Sequence, residues 1–273
     1  MASSDSPAAD RRAVLLAVDG PVATITLNRP HRRNAVSWDL VTGLHDALDA
    51  VDDDPDIRVV VLTGAGGDFS VGADLARVGS SDVRDQETRT LRGRSVEDDR
   101  ERLAVASATV ERLVQLSRPT LALVTGACAG AGLSIALAAD IRVASPRARF
   151  NTAFVSAGVA GDLGSAWLLT RAVGSASAHA LMLDPRKLDA AQAHALGLVS
   201  EVHDDAEGRV RSLSEKLSLQ SPMAMSLAKA NLRDAASHDL PTYLRAEVPR
   251  MVDSARSDHA RDAVRAYIAG RNP

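Results

Sequence analysis

Two stretches of small residues stand where a chain can hold a negatively charged oxygen on its own backbone. One runs Gly64-Ala65-Gly66-Gly67 on to Gly72-Ala73-Asp74-Leu75, the other Gly126-Ala127-Cys128-Ala129-Gly130-Ala131-Gly132. Each follows an apolar run, Val59-Val60-Val61-Leu62 or Leu121-Ala122-Leu123-Val124, and each leads into helix-like sequence. Small side chains let a ligand reach the main chain, and the first turn of a helix carries N–H groups without intrahelical acceptors. Two such turns brought together can grip one oxyanion. Neither has the G-x-G-x-x-G spacing of a dinucleotide site, and there is no G-x-x-x-x-G-K-[ST] phosphate loop.

A covalent route is also conceivable at the second turn. Gly126-x-Cys128-x-Gly130 after an apolar strand imitates a nucleophile elbow with cysteine in place of serine, and His179, His194 and His203 follow as possible bases. The alternative is that Cys128 is a small buried residue, the usual place of a free cysteine. None of the seven histidines forms an H-x-x-x-H pair or joins clustered carboxylates at ligand spacing, so no metal site is predicted.

The elements that must position these turns read as alternating strands and helices. Val14–Val18 and Val22–Leu27, broken at Asp19-Gly20-Pro21, predict a hairpin. Ser37 then caps a helix carrying Leu40, Val41, Leu44, Ala47, Leu48 and Val51 at helical spacing. Further strands are expected at 59–62, 120–124 and 141–144, and helices at 103–116 and 133–139, the last apolar nearly all round as a buried helix would be. Residues 79–102 are densely charged and read as a solvated segment or, alternatively, a lid beside the first turn. Beyond residue 200 the pattern becomes helical without strands, over 208–219, 222–236, 240–255 and 258–269. This predicts an α/β fold: a tail over 1–12, a core over 13–200 and a helical region over 201–273.

Composition narrows the partners. The 273 residues, 45% of them hydrophobic, suffice for one substantial core. A net charge of -3 and only three Phe and two Tyr argue against nucleic acid. A single cysteine excludes an intrachain disulfide framework and fits a reducing cytoplasm. No apolar run approaches membrane-spanning length, and Met1–Pro7 reads as a polar tail rather than a leader.

The run Val59 to Leu75, the upstream Leu27-Asn28-Arg29-Pro30 with Asn34-Ala35, Gly126 through Ile141, Gly197-Leu198-Val199 and Ser221-Pro222-x-Ala224 with Lys229 resemble the enoyl-CoA hydratase/isomerase (crotonase) superfamily over roughly 14–270. The resemblance implies a spiral of strand-strand-helix units and a C-terminal helical layer used in trimers, commonly a dimer of trimers. It implies an acyl-CoA substrate, coenzyme A arriving as part of it, with no separate cofactor. The thioester oxygen would accept from the N–H groups of Ala73 and Ala131, and Arg29, Asp74, Leu75 and Lys229 would lie along the CoA site. Asp74 and Asp140 look catalytic by type but match structural positions of the family.

The departures from the family pattern are informative. The two positions where hydratases of this family carry water-activating glutamates are Ser134 and Phe154 here. Further on, Gly158-Val159-Ala160-Gly161-Asp162-Leu163-Gly164-Ser165-Ala166-Trp167 resembles dienoyl-CoA isomerases and, more closely, ring-opened phenylacetyl-CoA isomerases, whose acid/base aspartate matches Asp162. A carboxylate flanked by Val159, Ala160, Leu163 and Trp167 is poorly solvated, which raises its pKa and suits it to carbon acids. Asp162 also fits the N-cap of a helix starting at Leu163. Isomerisation by Asp162, with Ser134 assisting through a hydrogen bond, is therefore expected. Hydration and a silent CoA-thioester binder are the alternatives.

Overall fold

The fold is described from a computed structural model for residues 12–74 and 95–268. Strands β1 (Val14–Asp19) and β2 (Val22–Leu27) form the expected antiparallel hairpin, with Val14 opposite Leu27 and Gly20 in the left-handed region at the turn. Helix α1 (Trp38–Asp53) starts at Ser37, whose Oγ accepts from the Leu40 N–H at 3.2 Å. The chain continues through β3 (Val59–Gly64), α2 (Val96–Gln115), β4 (Thr120–Val124), β5 (Ala127–Ala129), α3 (Ala131–Leu137), β6 (Ile141–Ala144), β7 (Arg149–Asn151), α4 (Ser165–Leu183), β8 (Leu188–Asp189), α5 (Ala190–Ala195) and β9 (Glu201–Val202). Helices α6 (Ala206–Ser218), α7 (Pro222–Ala235), α8 (Leu240–Ala255) and α9 (Asp258–Ile268) complete it.

The larger sheet has the order β1-β2-β3-β4-β6-β9, parallel from β2 onward. Its strands alternate faces. Val60 and Leu62 join the cluster holding Leu40, Leu44 and Leu48 of α1, while Val59 and Val61 face Val210 and Leu213 of α6. The smaller sheet, β5-β7-β8, lies beside it, and Ser70 bridges to Cys128 in β5. Repeated strand-strand-helix units such as β1-β2-α1, β4-β5-α3 and β6-β7-α4 make the expected α/β spiral, with a C-terminal helical layer.

Two expectations need correction. Helix α2 starts seven residues earlier than the apolar pattern suggests, because Ser95 Oγ accepts from the Asp98 N–H at 3.1 Å and Glu97, Asp98 and Asp99 suit the first turn of a helix. The end of the charged run is therefore helical, whereas most of the stretch considered as a lid, 79–94, lies outside the described residues. The region beyond 200 is also not free of strands, since β9 extends the main sheet by pairing Glu201 with Val143 and Val202 with Ala144. Helix α6 then covers one face of that sheet. No helix among the described residues is long and apolar enough to cross a membrane.

Candidate active site

The two small-residue turns are laced together. The Phe69 and Ser70 N–H groups both donate to Ala127 O at 3.0 Å, and Ala129 N–H donates to Ser70 O at 2.9 Å. Asp68 adds a side-chain tie, its Oδ1 accepting from Ala127 N–H at 2.7 Å. The glycines permit this approach. A Cβ on Gly126 would fall 2.2 Å from Gly67 O, and one on Gly132 would fall 2.5 Å from Ser70 Cβ. Gly126→Ala is accordingly expected to destabilise the protein by about 2 kcal/mol, read as a lower urea midpoint, because backbone atoms must move to admit the methyl group.

Ala73 and Ala131 follow Gly72 and Gly130, which pack against each other: a Cβ on Gly130 would sit 3.6 Å from Gly72 Cα. Val36 N–H donates to Gly72 O at 2.8 Å and Asp74 N–H donates to Val36 O at 3.0 Å, so the alternation of a parallel bridge turns the Ala73 N–H away from Val36. Ala131 is the first residue of α3. The helix's own bonding begins with Ser134 N–H to Gly130 O at 3.1 Å, so its first N–H groups have no acceptor within α3.

Behind Ala73, the buried Asp74 carboxylate meets two guanidinium groups: Oδ2 lies 2.9 Å from Arg29 Nη2 and Oδ1 2.7 Å from Arg32 Nη2. Arg29 Nη1 also donates to Ala35 O at 2.6 Å. Asn34 completes the support, accepting from Arg29 N–H and donating to Ala65 O and Asp68 O, all at 2.8 Å. Arg29 is thus committed to holding the first turn. Leu75 lies outside the described residues.

Lys229, expected along the CoA site, is engaged within the chain. Its ammonium lies 2.5 Å from Asp140 Oδ2 and donates to Arg118 O at 2.8 Å, and burial pulls its pKa down. Asp140 also accepts from Thr120 N–H and Oγ–H at 2.7 and 2.8 Å. The pair anchors α7 to the core, in line with the structural reading of Asp140. No local pattern signals it, because its members are 89 residues apart.

Asp162 stands in a loop of unusual backbone. Gly158, Gly161, Leu163 and Gly164 all have positive φ, Leu163 at 50°, a conformation costing a non-glycine residue about 1 kcal/mol or more. The Asp162 carbonyl accepts from Ser165 N–H at 2.9 Å and from Ser134 Oγ–H at 3.3 Å. Its carboxylate does not cap α4. The N-cap position falls to Gly164, with no side-chain bond. Asp162 Oδ1 is buried without a hydrogen-bond partner, and burial pushes the carboxyl pKa up to about 6. Ser134, itself buried, meets the main chain of the loop rather than this carboxylate.

Phe154 joins the two parts of the site. Its Cε1 lies 3.9 Å from a Cβ built on Gly130, and its Cδ2 lies 4.0 Å from one built on Gly161. The ring therefore spans from the second turn to the residue before Asp162. The thiol alternative fails on access: Cys128 is fully buried, burial raises its pKa, and Sγ faces Gly132 O at 3.8 Å. His179 and His194 bond locally to Ser175 and Val199 O.

Small-residue turns laced at their backbones, a buried helix starting at one of them and the unpartnered Oδ1 of Asp162 thus lie in one region of the fold. A model of the enoyl-CoA hydratase/isomerase family matches residues 18–273. The chain belongs to that family. It is 35% identical over 262 residues to the 1,2-epoxyphenylacetyl-CoA isomerase of Escherichia coli, covering 95% of this chain and 97% of the relative. A Mycobacterium tuberculosis protein described as "Probable enoyl-CoA hydratase" is 39% identical over 224 residues, 82% of each chain. The crystal structure of an enoyl-CoA hydratase/isomerase from Cupriavidus metallidurans superposes with a TM-score of 0.84 at 34% identity, covering 96% of this chain and 95% of the other.

Proposed function

We propose that this acyl-CoA enzyme moves the double bond of an enoyl-CoA thioester, with Asp162 as its single acid/base. The observation that carries this reading is the Asp162 carboxyl: partly buried, one oxygen without a partner, and with a pKa pushed up to about 6. Such a group is ionised near neutral pH yet basic enough to take a proton from carbon. In a 3-enoyl thioester it removes a proton from the carbon between the carbonyl and the double bond. The electron pair moves onto the thioester oxygen, where the Ala73 and Ala131 N–H groups hold the developing charge. Asp162 then returns the proton at the far end of the conjugated system, leaving a 2-enoyl thioester. Ser134 and Phe154 occupy the positions at which the resemblance implies water-activating glutamates, so these positions supply no carboxylate for hydration.

Hydration is the second reading, favoured by the hydratase description of the Mycobacterium tuberculosis relative. Chromatography of parallel 3-enoyl-CoA and 2-enoyl-CoA incubations separates the two: isomerisation turns the 3-enoyl-CoA into the 2-enoyl-CoA, whereas conversion of the 2-enoyl-CoA into the 3-hydroxyacyl-CoA with the 3-enoyl-CoA untouched would favour hydration. A protein that binds the thioester and converts neither substrate would be a silent binder.

The pH profile follows from the same carboxyl. As the base must be ionised, kcat/KM is expected to level off above about pH 7 and to fall about tenfold per pH unit well below pH 6. The expected self-association draws support from Leu240, Leu244, Val248 and Met251 of α8, all exposed in the single chain. Sedimentation at a mass of three or six chains is the expected result; a monomer would remove this part of the proposal.

A further inference from the structure

A second cleft lies beyond Asp162. It encloses about 640 Å³ between α2, the end of α3, the start of α4 and α7. Val114, Leu137, Leu163 and Leu168 give it apolar walls. Arg233 of α7 also lines it, and Arg233 Nη1 is buried without a hydrogen-bond partner. A buried guanidinium N–H left unpaired is costly, and a carboxylate is the partner that fits its geometry.

The other charges of the cleft are already engaged. Lys229 is paired with Asp140, Arg142 donates to Leu198 O at 2.7 Å and Ala139 O at 2.6 Å, and Arg171 lies 3.5 Å over the Trp167 ring. Glu111 accepts from Gln115 at 2.9 Å, and the Asp140 carboxylate also serves Thr120. Arg233 is thus set apart by burial: among the described residues its Nη1 is the buried cationic nitrogen of the cleft without an acceptor, whereas Arg171 is exposed.

Two elements link the cleft to the reaction site. Along α3, Ala131 opens the helix, Ser134 meets the Asp162 carbonyl and Leu137 reaches the cleft wall. These six residue steps span about 9 Å, roughly the length of seven extended carbons. On the other side Leu163, which lines the cleft, directly follows Asp162.

We infer that this cleft receives the far end of the acyl group and that this end carries a terminal carboxylate, which pairs with Arg233. The inference rests on the proposed acyl-CoA site and names its substrate class: long unsaturated acyl-CoA thioesters with a second, distal carboxylate. The apolar walls accommodate the methylene chain between the two ends.

The test compares two 3-enoyl-CoA thioesters of the same ten-carbon length, one ending in methyl and one in carboxylate. Wild type is expected to favour the carboxylate-ended substrate in kcat/KM by about tenfold or more. Arg233→Met should collapse that ratio, and Arg233→Lys should keep part of it. Equal treatment of both substrates by wild type, or an equal loss on both in Arg233→Met, would overturn the inference. Should neither substrate turn over, the isomerase reading fails, and calorimetry with the corresponding saturated acyl-CoA pair decides the cleft separately: the same Arg233-dependent preference in Kd supports it, and its absence overturns it. Arg233-dependent binding of free decanedioate without competition against acyl-CoA would assign the cleft to an effector and overturn it as well.

Discussion

Asp162→Asn is expected to lower turnover by about 10³-fold while leaving acyl-CoA affinity within a few-fold, since general acid–base catalysis at a positioned side chain contributes on this scale. The amide keeps the shape and removes the base. The same substitution has a second, opposite effect on stability. The folded-state pKa of about 6 lies above the ordinary aspartate value of 3.8, so the folded wild type holds its proton more tightly than the unfolded chain does. That contribution is fully present below about pH 4 and is lost as pH rises through about 6, which makes the ionised carboxyl a destabilising group at neutral pH. With allowance for the partial solvent exposure of Asp162, the variant is expected to be about 1 kcal/mol more stable than wild type near pH 7.5, with the difference fading toward pH 4. Urea titrations at the two pH values read this directly. Loss of turnover with gained neutral-pH stability distinguishes a strained functional group from a structural one, whose removal would lower both.

The largest stability loss is expected from Asp74→Ala. Its side chain is 1% exposed and bridges Arg29, at 6%, to Arg32, at 32%. Removing the carboxylate leaves the buried Arg29 guanidinium with Ala35 O but without its counter-ion, a change costing about 3–5 kcal/mol. Thermal unfolding is the measurement. Arg29→Met combined with Asp74→Ala should recover part of the loss, because the double variant no longer buries an unpaired charge. The first turn, and with it Ala73, is expected to loosen in the single variant, so turnover at saturating substrate should also fall where the protein remains folded.

Much of this arrangement is legible in the chain because local chemistry fixes it. The hairpin at Gly20, the Ser37 cap and the apolar runs of β3, β4 and β6 follow from turn residues and periodicity. The small sheet is not legible in the same way: β5, β7 and β8 are two or three residues long, below the length at which alternation can register. At the site, the family resemblance singled out Asp162 and its apolar neighbours pointed to its raised pKa, but its capping potential gave no sign that Gly164 would take the cap position. Lys229 shows the limit most plainly. Its partners, Asp140 and Arg118, come from a distant part of the chain, so no neighbouring residue in the sequence signals the pairing.

The reading turns on whether Asp162 moves a proton on carbon. The direct measurement is NMR of a 3-enoyl-CoA incubated in deuterated water with wild type and with Asp162→Asn. The expected result is deuterium entering the acyl chain as the double bond migrates, with both changes abolished in the variant. Deuterium incorporation that persists in Asp162→Asn, or hydration of a parallel 2-enoyl-CoA sample while the 3-enoyl-CoA shows no migration, would contradict it.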